Sequence, residues 1–284
     1  MLHSYRHDPP AVAGSIIILL FVLAAIFAPL VTPQNPYDLS EVSLEHFLTP
    51  PVWMEGGQMP FLLGTDDQGR DILSTIIFGC RTSLIVGFSV VLISSIIGIV
   101  LGLLAGYFGK WIDAVTMRMA DTVFSFSTTL LAILLLGVFK QSGIFTVIIA
   151  ICVADWVRYA RTMRGSVLEI KEEAYIMAAK ATGASDLRLL CKHLLPNAVP
   201  PLMVVLAVDL AVVIMLEATL SFLGVGVPLT EPSLGMMISI GKNYIYAGMW
   251  WMIVFPGATL ILLVVGINLF ADWLREELNP KIGD

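Results

Sequence analysis

The sequence predicts an all-α integral membrane protein with six transmembrane helices. Of its 284 residues, 57% are hydrophobic and 13% are charged, a balance that excludes an ordinary soluble domain. Apolar runs of about 18–25 residues also recur, each long enough to cross a hydrocarbon core of about 30 Å. Because every backbone polar group inside lipid needs an internal partner, these runs should be helices. We place them near residues 11–31, 82–107, 117–139, 143–163, 200–222 and 250–273.

The first run could be a secretory signal peptide, because Arg6 precedes it. Its apolar stretch is too long for a typical signal core, however, and Pro29-Leu30-Val31 continues it. We therefore predict an uncleaved anchor that forms, with the external loop after it, an N-terminal unit over 1–81. Residues 82–284 then form a five-helix core.

The basic residues predict the orientation of these spans. With six spans and both ends inside, the inner segments hold all Lys and Arg residues except Arg70, Arg81, Lys140 and Lys242. Basic residues concentrate on the cytoplasmic side of membrane proteins. Both termini are therefore predicted to be cytoplasmic, and the net charge of −6 gives no indication of a nucleic-acid partner.

Three carboxylates precede the second span, at Asp66, Asp67 and Asp71. Such a cluster is consistent with a cation site. Arg70 lies among them, however, and the nearby glycines suit turn positions. We favour a structural turn, with the cation site as the alternative. The three cysteines are scattered without ligand spacing, so no metal site is predicted.

The second span carries a stripe of small residues, Gly98, Gly102 and Gly106, at four-residue spacing. Small residues on one stripe let two helices approach closely, which drives association in lipid. We predict a packing face, either within the chain or against a partner subunit. The segment from Gly102 to Lys110 is not a phosphate loop, because no Ser or Thr follows the lysine.

Two acids, Asp209 and Glu217, lie eight residues apart in the fifth span and are expected on one side of it. Carboxylates at that depth are costly and face a bundle interior or an aqueous path. A role in the translocation pathway and a buried structural pairing both stay open. Near the inner surface, Arg118 and Asp121 are three apart and predict a local ion pair.

Three arginines, Arg158, Arg161 and Arg164, share a face at the inner end of the fourth span. Their side chains could extend to anionic lipid headgroups. Contact with a cytoplasmic partner is the alternative.

A polar segment over about 164–197 separates two apolar spans and is predicted to form two short surface helices. Gly183 suits the left-handed residue that ends the first helix, and Ser185 can cap the second. Apolar faces are expected on both helices. The first comprises Val167, Ile170, Ala174, Met177, Ala178 and Ala181; the second comprises Leu187, Leu190, Cys191, Leu194 and Leu195.

This segment also carries a family resemblance. Ala178-Ala179, Gly183 and Leu195-Pro196 are spaced as in the EAA loop of permease subunits of bacterial ABC importers. LGTDDQGRDILS at 63–74, followed by Gly79-x-Arg81-x-Ser83-Leu84, resembles the dipeptide, oligopeptide and nickel permeases, and Pro50-Pro51-x-Trp53 is closest to the dipeptide branch. The chain departs from the loop motif at Met177, where Glu is frequent, and at His193, where Ile is common.

The resemblance implies a type I ABC importer permease fold with a cytoplasmic coupling helix, in the bacterial inner membrane. It also implies a homologous second permease, one or two cytoplasmic ATPases that hold ATP and Mg²⁺, and an external solute-binding protein. This chain would then bind no cofactor and perform no catalysis. By resemblance, the ATPase-coupling residues are Glu173, Ala174, Ala178, Ala179, Gly183, Leu195 and Pro196. The family usually carries a proline after Asp121, and its absence over 124–128 argues against a kink there.

The expected function is import of di- or oligopeptides. Nickel or metal-chelate import by the same architecture is the alternative. A secondary transporter driven by an ion gradient, with Asp209 and Glu217 as proton sites, is a rival of another class. An intramembrane enzyme is disfavoured, because the sequence lacks His-Glu-x-x-His and Gly-x-Ser-x-Gly.

Overall fold

The computed structural model describes residues 8–38, 44–139, 143–228 and 230–278, and within these ranges the chain forms helices and no strand. We number the helices of eight or more residues. They are α1 Pro9–Ile26, α2 Ile72–Phe108, α3 Lys110–Phe124, α4 Thr128–Phe139, α5 Ile144–Ile170, α6 Ala174–Ala181, α7 Leu195–Phe222, α8 Leu234–Gly241 and α9 Trp251–Glu277.

Helix α1 begins at a proline pair that follows Asp8. The Asp8 carboxylate accepts a hydrogen bond from Ala11 N at 3.3 Å, and proline is well suited to the first helical turn, where its missing N–H costs nothing. The helix packs on α9 and α2. At the crossing with α9, a Cβ added to Gly14 would lie 2.7 Å from Gly266 O, so the two backbones meet directly.

Helices α2 and α5 form the central pair of the bundle. A Cβ added to Gly98 would lie 2.6 Å from Trp156 O, and one added to Gly102 would lie 2.4 Å from Ala160 O. The stripe continues to Gly106, which meets the Val167 side chain. The packing partner of the small-residue face is therefore a helix of the same chain.

Helix α2 is longer than the predicted second span, because it begins at Ile72 rather than near 82. Asp71 caps it, accepting from Ser74 N at 2.7 Å. A helix of 37 residues extends about 55 Å, well beyond the hydrocarbon core. Its first turns therefore extend past the lipid and support the segment that precedes them.

The third predicted span, 117–139, is two helices and not one. Helices α3 and α4 meet at an angle of 90°, although no proline lies at the bend. Ser125 lies at the corner, where its hydroxyl donates to Asp121 O at 2.7 Å. A serine that bonds to the preceding turn competes with the helical ladder, and the chain leaves the α-helix there. The missing proline predicted no kink in this region, and that prediction was wrong.

The count of six spans stays a prediction. Among the described residues, four helical stretches are long and apolar enough to cross a membrane, and the bent α3–α4 pair would make a fifth. Helix α5, which covers the predicted span 143–163, is 27 residues long but carries Asp155, Arg158 and Arg161. Of these, Arg158 and Arg161 form ion pairs with residues of other helices, as described below.

Helix α8, which was not predicted from the sequence, packs against α7, α9 and α2. A Cβ added to Gly235 would lie 2.1 Å from Ala218 O, so the backbones of α8 and α7 are in direct contact here. Ser233 caps it by accepting from Met236 N at 3.3 Å. An apolar helix of eight residues is too short to be distinguished from a loop by its hydrophobic pattern.

The acidic segment before α2 forms a turn. Asp66 Oδ1 accepts from the backbone N–H groups of Gln68 and Arg70 at 2.8 and 2.9 Å, and Arg70 Nε donates to Asp66 Oδ2 at 2.7 Å. Asp71 is committed to the cap of α2. Within the described ranges, no group of three or more His, Cys, Asp and Glu residues is arranged to hold a metal. The structure supports the turn over the cation site.

Candidate functional site

The polar segment begins as a continuation of α5 rather than as a separate surface helix. Helix α5 runs to Ile170, the chain turns over residues 171–173, and α6 follows from Ala174 to Ala181. Val167 and Ile170, predicted for the first surface helix, therefore belong to the preceding long helix. Lys171 stabilises the turn, because its Nζ donates to Gly106 O at the end of α2 at 3.1 Å.

Helix α6 is held by one side chain, Ile176, which is 3% exposed. Ile176 belongs to a buried cluster that also contains Tyr159 and Met163 of α5, Leu190 of the segment before α7 and residues of α7. The predicted apolar face was wrong for this helix, because Ala174, Met177, Ala178 and Ala181 are all exposed. A helix of eight residues makes about two turns, and only one position on it reaches the core.

The outward side of α6 is a small apolar surface. Tyr175 and Met177 are exposed by 46% and 58%, Ala178 is exposed and Ala179 is half-buried. Glu173 precedes them, at the N-cap and also exposed. Unpaired apolar side chains rimmed by charge are typical of a protein interface.

The end of α6 is fixed by a Schellman motif. Gly183 adopts a φ of 84°, the left-handed conformation expected from the sequence. Its N–H donates to Lys180 O at 3.1 Å, and Ala184 N donates to Ala179 O at 3.1 Å. The chain therefore reverses sharply here, and a residue with a β-carbon would be strained.

The second predicted surface helix is continuous with α7. A short helix, Asp186–Arg188, leads into a π-helical turn, Leu189–Leu194, and then into α7. Ser185 takes the N-cap backbone conformation, although no side-chain capping bond is formed there.

The predicted face of this segment was only partly right. Leu190 and Leu194 are buried, but Leu187 and Cys191 are exposed, and Leu189 is buried instead. A π-turn inserts an extra residue per turn, so an α-helical periodicity cannot predict which residues face inward. At the start of α7, Leu195 is half-buried and Pro196 is exposed.

A side-chain contact ties this segment to α2. Tyr107 Oη donates to Asp186 Oδ1 at 2.5 Å. A groove of about 710 Å³ lies beside this contact, lined by residues that include Glu172, Met177 and Lys180. The surface segment is thus attached to α2, α5 and α7.

The three arginines of α5 form ion pairs within the chain. Arg158 pairs with Asp209 on α7. The other two pair with α3: Arg161 Nη2 lies 2.7 Å from Asp121 Oδ1, and Arg164 Nη2 donates to Asp113 Oδ2 at 2.6 Å. The arginines therefore have partners within the chain, and contact with lipid headgroups or with a cytoplasmic partner stays a prediction. The predicted Arg118–Asp121 pair was also wrong, because Asp121 binds Arg161.

Asp209 is fully buried and bound by two adjacent residues of α5. Besides Arg158, Tyr159 Oη donates to Asp209 Oδ2 at 2.5 Å. Asp155 lies next to this pair, with Oδ1 4.0 Å from Arg158 Nη2, and its Oδ2 has no hydrogen-bond partner among the described residues. Sequence reasoning missed Asp155 and Tyr159; an acid within an apolar run was the available signal for Asp155.

Glu217 is also fully buried, and its partners differ from those of Asp209. Its carboxylate accepts hydrogen bonds from Ser83 on α2 at 2.7 Å, from Ser221 on α7 at 2.8 Å and from Ser233 at the start of α8 at 3.0 Å. The two acids therefore contact different helices. Their roles in transport stay predictions.

Comparison with known proteins agrees with this architecture. Residues 98–284 match the family model of the binding-protein-dependent transport system inner membrane component. Residues 1–51 match the N-terminal TM domain of oligopeptide transport permease C.

Among curated proteins, the chain is 40% identical to a di/tripeptide transport system permease protein DppC of Pseudomonas aeruginosa, over 98% of this chain and 90% of that protein. It is 37% identical to a dipeptide transport system permease protein DppC of Haemophilus influenzae, over 98% and 92%. It is 36% identical to the oligopeptide transport system permease protein OppC of Bacillus subtilis, over 98% and 88%.

A solved structure of the MetNI methionine ABC transporter, in an inward-facing conformation, is similar with a TM-score of 0.59 at 22% identity. The match covers 73% of this chain and 98% of that chain. At this identity the likeness concerns the fold, and it confirms the predicted permease fold.

Proposed function

Because the chain belongs to the family of binding-protein-dependent transport system inner membrane components, we propose that it forms half of the translocation pathway of an ATP-driven importer of di- and oligopeptides. The observation that carries this proposal is full-length similarity to peptide permeases at 36–40% identity, together with a surface helix suited to coupling. Within this family the chain is a transport component and not a catalytic subunit. We further propose that it performs no covalent chemistry.

Helix α6 is the element that would meet the ATPase. Its outward residues Tyr175 and Met177 are exposed, while Ile176 fixes it to α5 and α7. A push on α6 is therefore transmitted to the two long helices that carry Asp209 and its partners. Met177, which departs from the family motif, contributes an apolar contact to this surface in place of a charge.

The proposed partners are a homologous second permease, one or two cytoplasmic ATPases and an external solute-binding protein. ATP and Mg²⁺ would be bound by the ATPase subunits, because this sequence lacks a phosphate loop. The complex would lie in the bacterial inner membrane with both termini of this chain in the cytoplasm, as the distribution of basic residues favours.

Peptides are preferred over nickel or metal chelates as cargo because the similar curated proteins are named as dipeptide, di/tripeptide and oligopeptide permeases. Uptake of a labelled dipeptide by cells that express the complete transporter would test this, with unlabelled tripeptide and Ni²⁺ as competitors. Competition by Ni²⁺ alone would contradict the peptide assignment.

The ion-gradient mechanism is tested separately. Right-side-out vesicles loaded with ATP should take up peptide in the presence of an uncoupler. Uptake that needs the proton gradient and not ATP would overturn the ATP-driven mechanism.

The coupling role is tested at Gly183 and Ala179. Gly183→Leu should strain the left-handed turn by about 1–2 kcal/mol and misplace α6, and Ala179→Glu should put a charge on its contact surface. Both should reduce uptake and peptide-stimulated ATPase activity while membrane insertion persists. Gly183→Asn is the matched control, because Asn tolerates this conformation. Normal transport by Gly183→Leu in an assembled complex would reject the coupling role.

A further inference from the structure

Two grooves on the surface of the bundle meet at Arg81. The first, about 490 Å³, lies between α1 and α2 and is apolar along its length. The second, also about 490 Å³, lies between the segment after α1 and the start of α2. Among the described residues that line the two grooves, Arg81 is the one charged side chain and the one residue common to both.

The first groove has the dimensions and chemistry of an acyl-chain site. Its described lining apart from Arg81 and Ser89 is hydrocarbon: Val22, Ala25, Ile26, Leu84, Ile85 and Phe88. Ile85 and Phe88 are exposed by 45% and 51%, whereas Ala25 and Leu84 form a buried floor. Because the residues at its edges are exposed and those at its base are buried, the groove is an open channel on a lipid-facing surface and not an internal cavity.

The second groove has polar walls. It is lined by Thr32, Asn35 and Tyr37, with Phe78 beneath Tyr37 in an edge-to-face contact at 5.3 Å. The Tyr37 side chain is 44% exposed. Hydroxyl and amide groups beside a guanidinium suit the glycerol and phosphate oxygens of a lipid headgroup.

Arg81 lies at the depth where a phosphate group would be. It is the tenth residue of α2, so about 40 Å of helix separates it from the other end at Phe108, while the hydrocarbon core needs about 30 Å. Arg81 is exposed, and no ion pair of Arg81 occurs among the described residues. An exposed arginine at the interface favours an anionic headgroup.

We propose that the paired grooves bind one anionic phospholipid, with its phosphate on Arg81, its headgroup against Thr32 and Tyr37, and one acyl chain between α1 and α2. The bound lipid would join the N-terminal helix to the five-helix core. This site is distinct from the coupling surface and does not depend on which cargo is imported.

The test uses the complete transporter in detergent, titrated with phosphatidylglycerol or with zwitterionic phosphatidylcholine and measured by native mass spectrometry. Removing one interfacial cation should weaken the binding of an anionic lipid about fivefold. We therefore expect Arg81→Gln to lose about fivefold in phosphatidylglycerol retention and to retain phosphatidylcholine unchanged. Arg81→Lys should restore most of the loss, and Lys242→Gln, which removes another exposed cation after α8, should have no effect.

Ser89→Trp should fill the apolar groove and reduce retention of both lipids. Unchanged phosphatidylglycerol retention in both Arg81→Gln and Ser89→Trp would overturn the site. A photoreactive benzoylphenylalanine in place of Phe88 would show, by what it cross-links to, whether a lipid or a protein occupies the groove. Cross-linking to phospholipid supports the proposal, and cross-linking to the second permease alone overturns it.

Discussion

The hydroxyl of Ser83 donates a hydrogen bond to the carboxylate of Glu217 across 2.7 Å, although the two residues are 134 positions apart. This contact joins α2 to α7, and Ser233 extends it to α8 through the same carboxylate at 3.0 Å. Glu217 is therefore the centre of a three-helix junction with no exposed side-chain surface. We therefore expect any transport role of Glu217 to act through the arrangement of these helices.

Glu217→Ala should lower the stability of the assembled transporter by about 2–4 kcal/mol, because it leaves buried hydroxyls without an acceptor. Glu217→Gln keeps the shape and an acceptor oxygen and should cost less than about 1.5 kcal/mol. Thermal unfolding in detergent, with peptide uptake alongside, measures both. Full stability of Glu217→Ala combined with abolished uptake would indicate a direct pathway role instead.

The pair of Arg158 and Asp209 should be worth more than a surface ion pair, because Asp209 is fully buried. A double-mutant cycle with Arg158→Gln and Asp209→Asn should give a coupling energy of about 1–3 kcal/mol. The same cycle at Arg161 and Asp121, both partly exposed, is the control and should give less than about 1 kcal/mol.

Asp209→Asn should also change uptake or its coupling to ATP hydrolysis, since the pair joins α5, which leads to α6, to α7. If uptake and ATPase stimulation are both unaltered, Asp209 serves packing alone.

Gly102→Ala should destabilise the α2–α5 pair, because the new Cβ would lie 2.4 Å from Ala160 O. Overpacking of this kind costs about 1–3 kcal/mol. Gly165→Ala on α5 is the matched control: no atom lies within 4 Å of its added Cβ, and helix propensity favours alanine by up to about 1 kcal/mol. Equal thermal stability of the two variants would contradict close packing at the stripe.

Ile176 and Met177 should separate anchoring from coupling. Ile176→Ala removes the buried side chain that holds α6, at a cost of about 2–5 kcal/mol, and hydrogen exchange at residues 174–181 should accelerate. Met177→Ala should leave exchange unchanged in the absence of the ATPase but weaken peptide-stimulated ATP hydrolysis. The expectation fails if Met177→Ala accelerates exchange as much as Ile176→Ala does.

The turn that precedes α2 should respond to pH through Asp67. Burial raises the pKa of Asp67, and the neighbouring Asp66 carboxylate raises it further. A raised pKa in the folded state means that the protonated form is favoured, so this contribution to stability is present at low pH and is lost as pH rises through the raised value. Asp67→Asn should therefore stabilise the protein near neutral pH and have less effect near pH 4, the ordinary range of a carboxyl group. Thermal unfolding across that range measures it.

The amino-acid sequence by itself determined the membrane class, the approximate helix positions and the place of the polar segment between two spans. These follow from local physics: backbone groups in lipid must be satisfied within the helix, and Gly183 is suited to a left-handed turn. The four-residue spacing of the glycines from Gly98 to Gly106 likewise predicted a close contact between two helices. Motif spacing then indicated the family.

Only the tertiary structure decided which residues meet. The bend at Ser125 changes the direction of the chain, and the π-turn at Leu189–Leu194 changes which residues face inward. The spacing of apolar residues in the sequence predicts neither feature. The residues Arg158, Tyr159 and Ser83, which bind Asp209 and Glu217, lie on other helices, 50 to 134 residues away in the chain. Such contacts depend on how whole helices pack, because a buried charge is stabilised by whatever donors that packing brings to it.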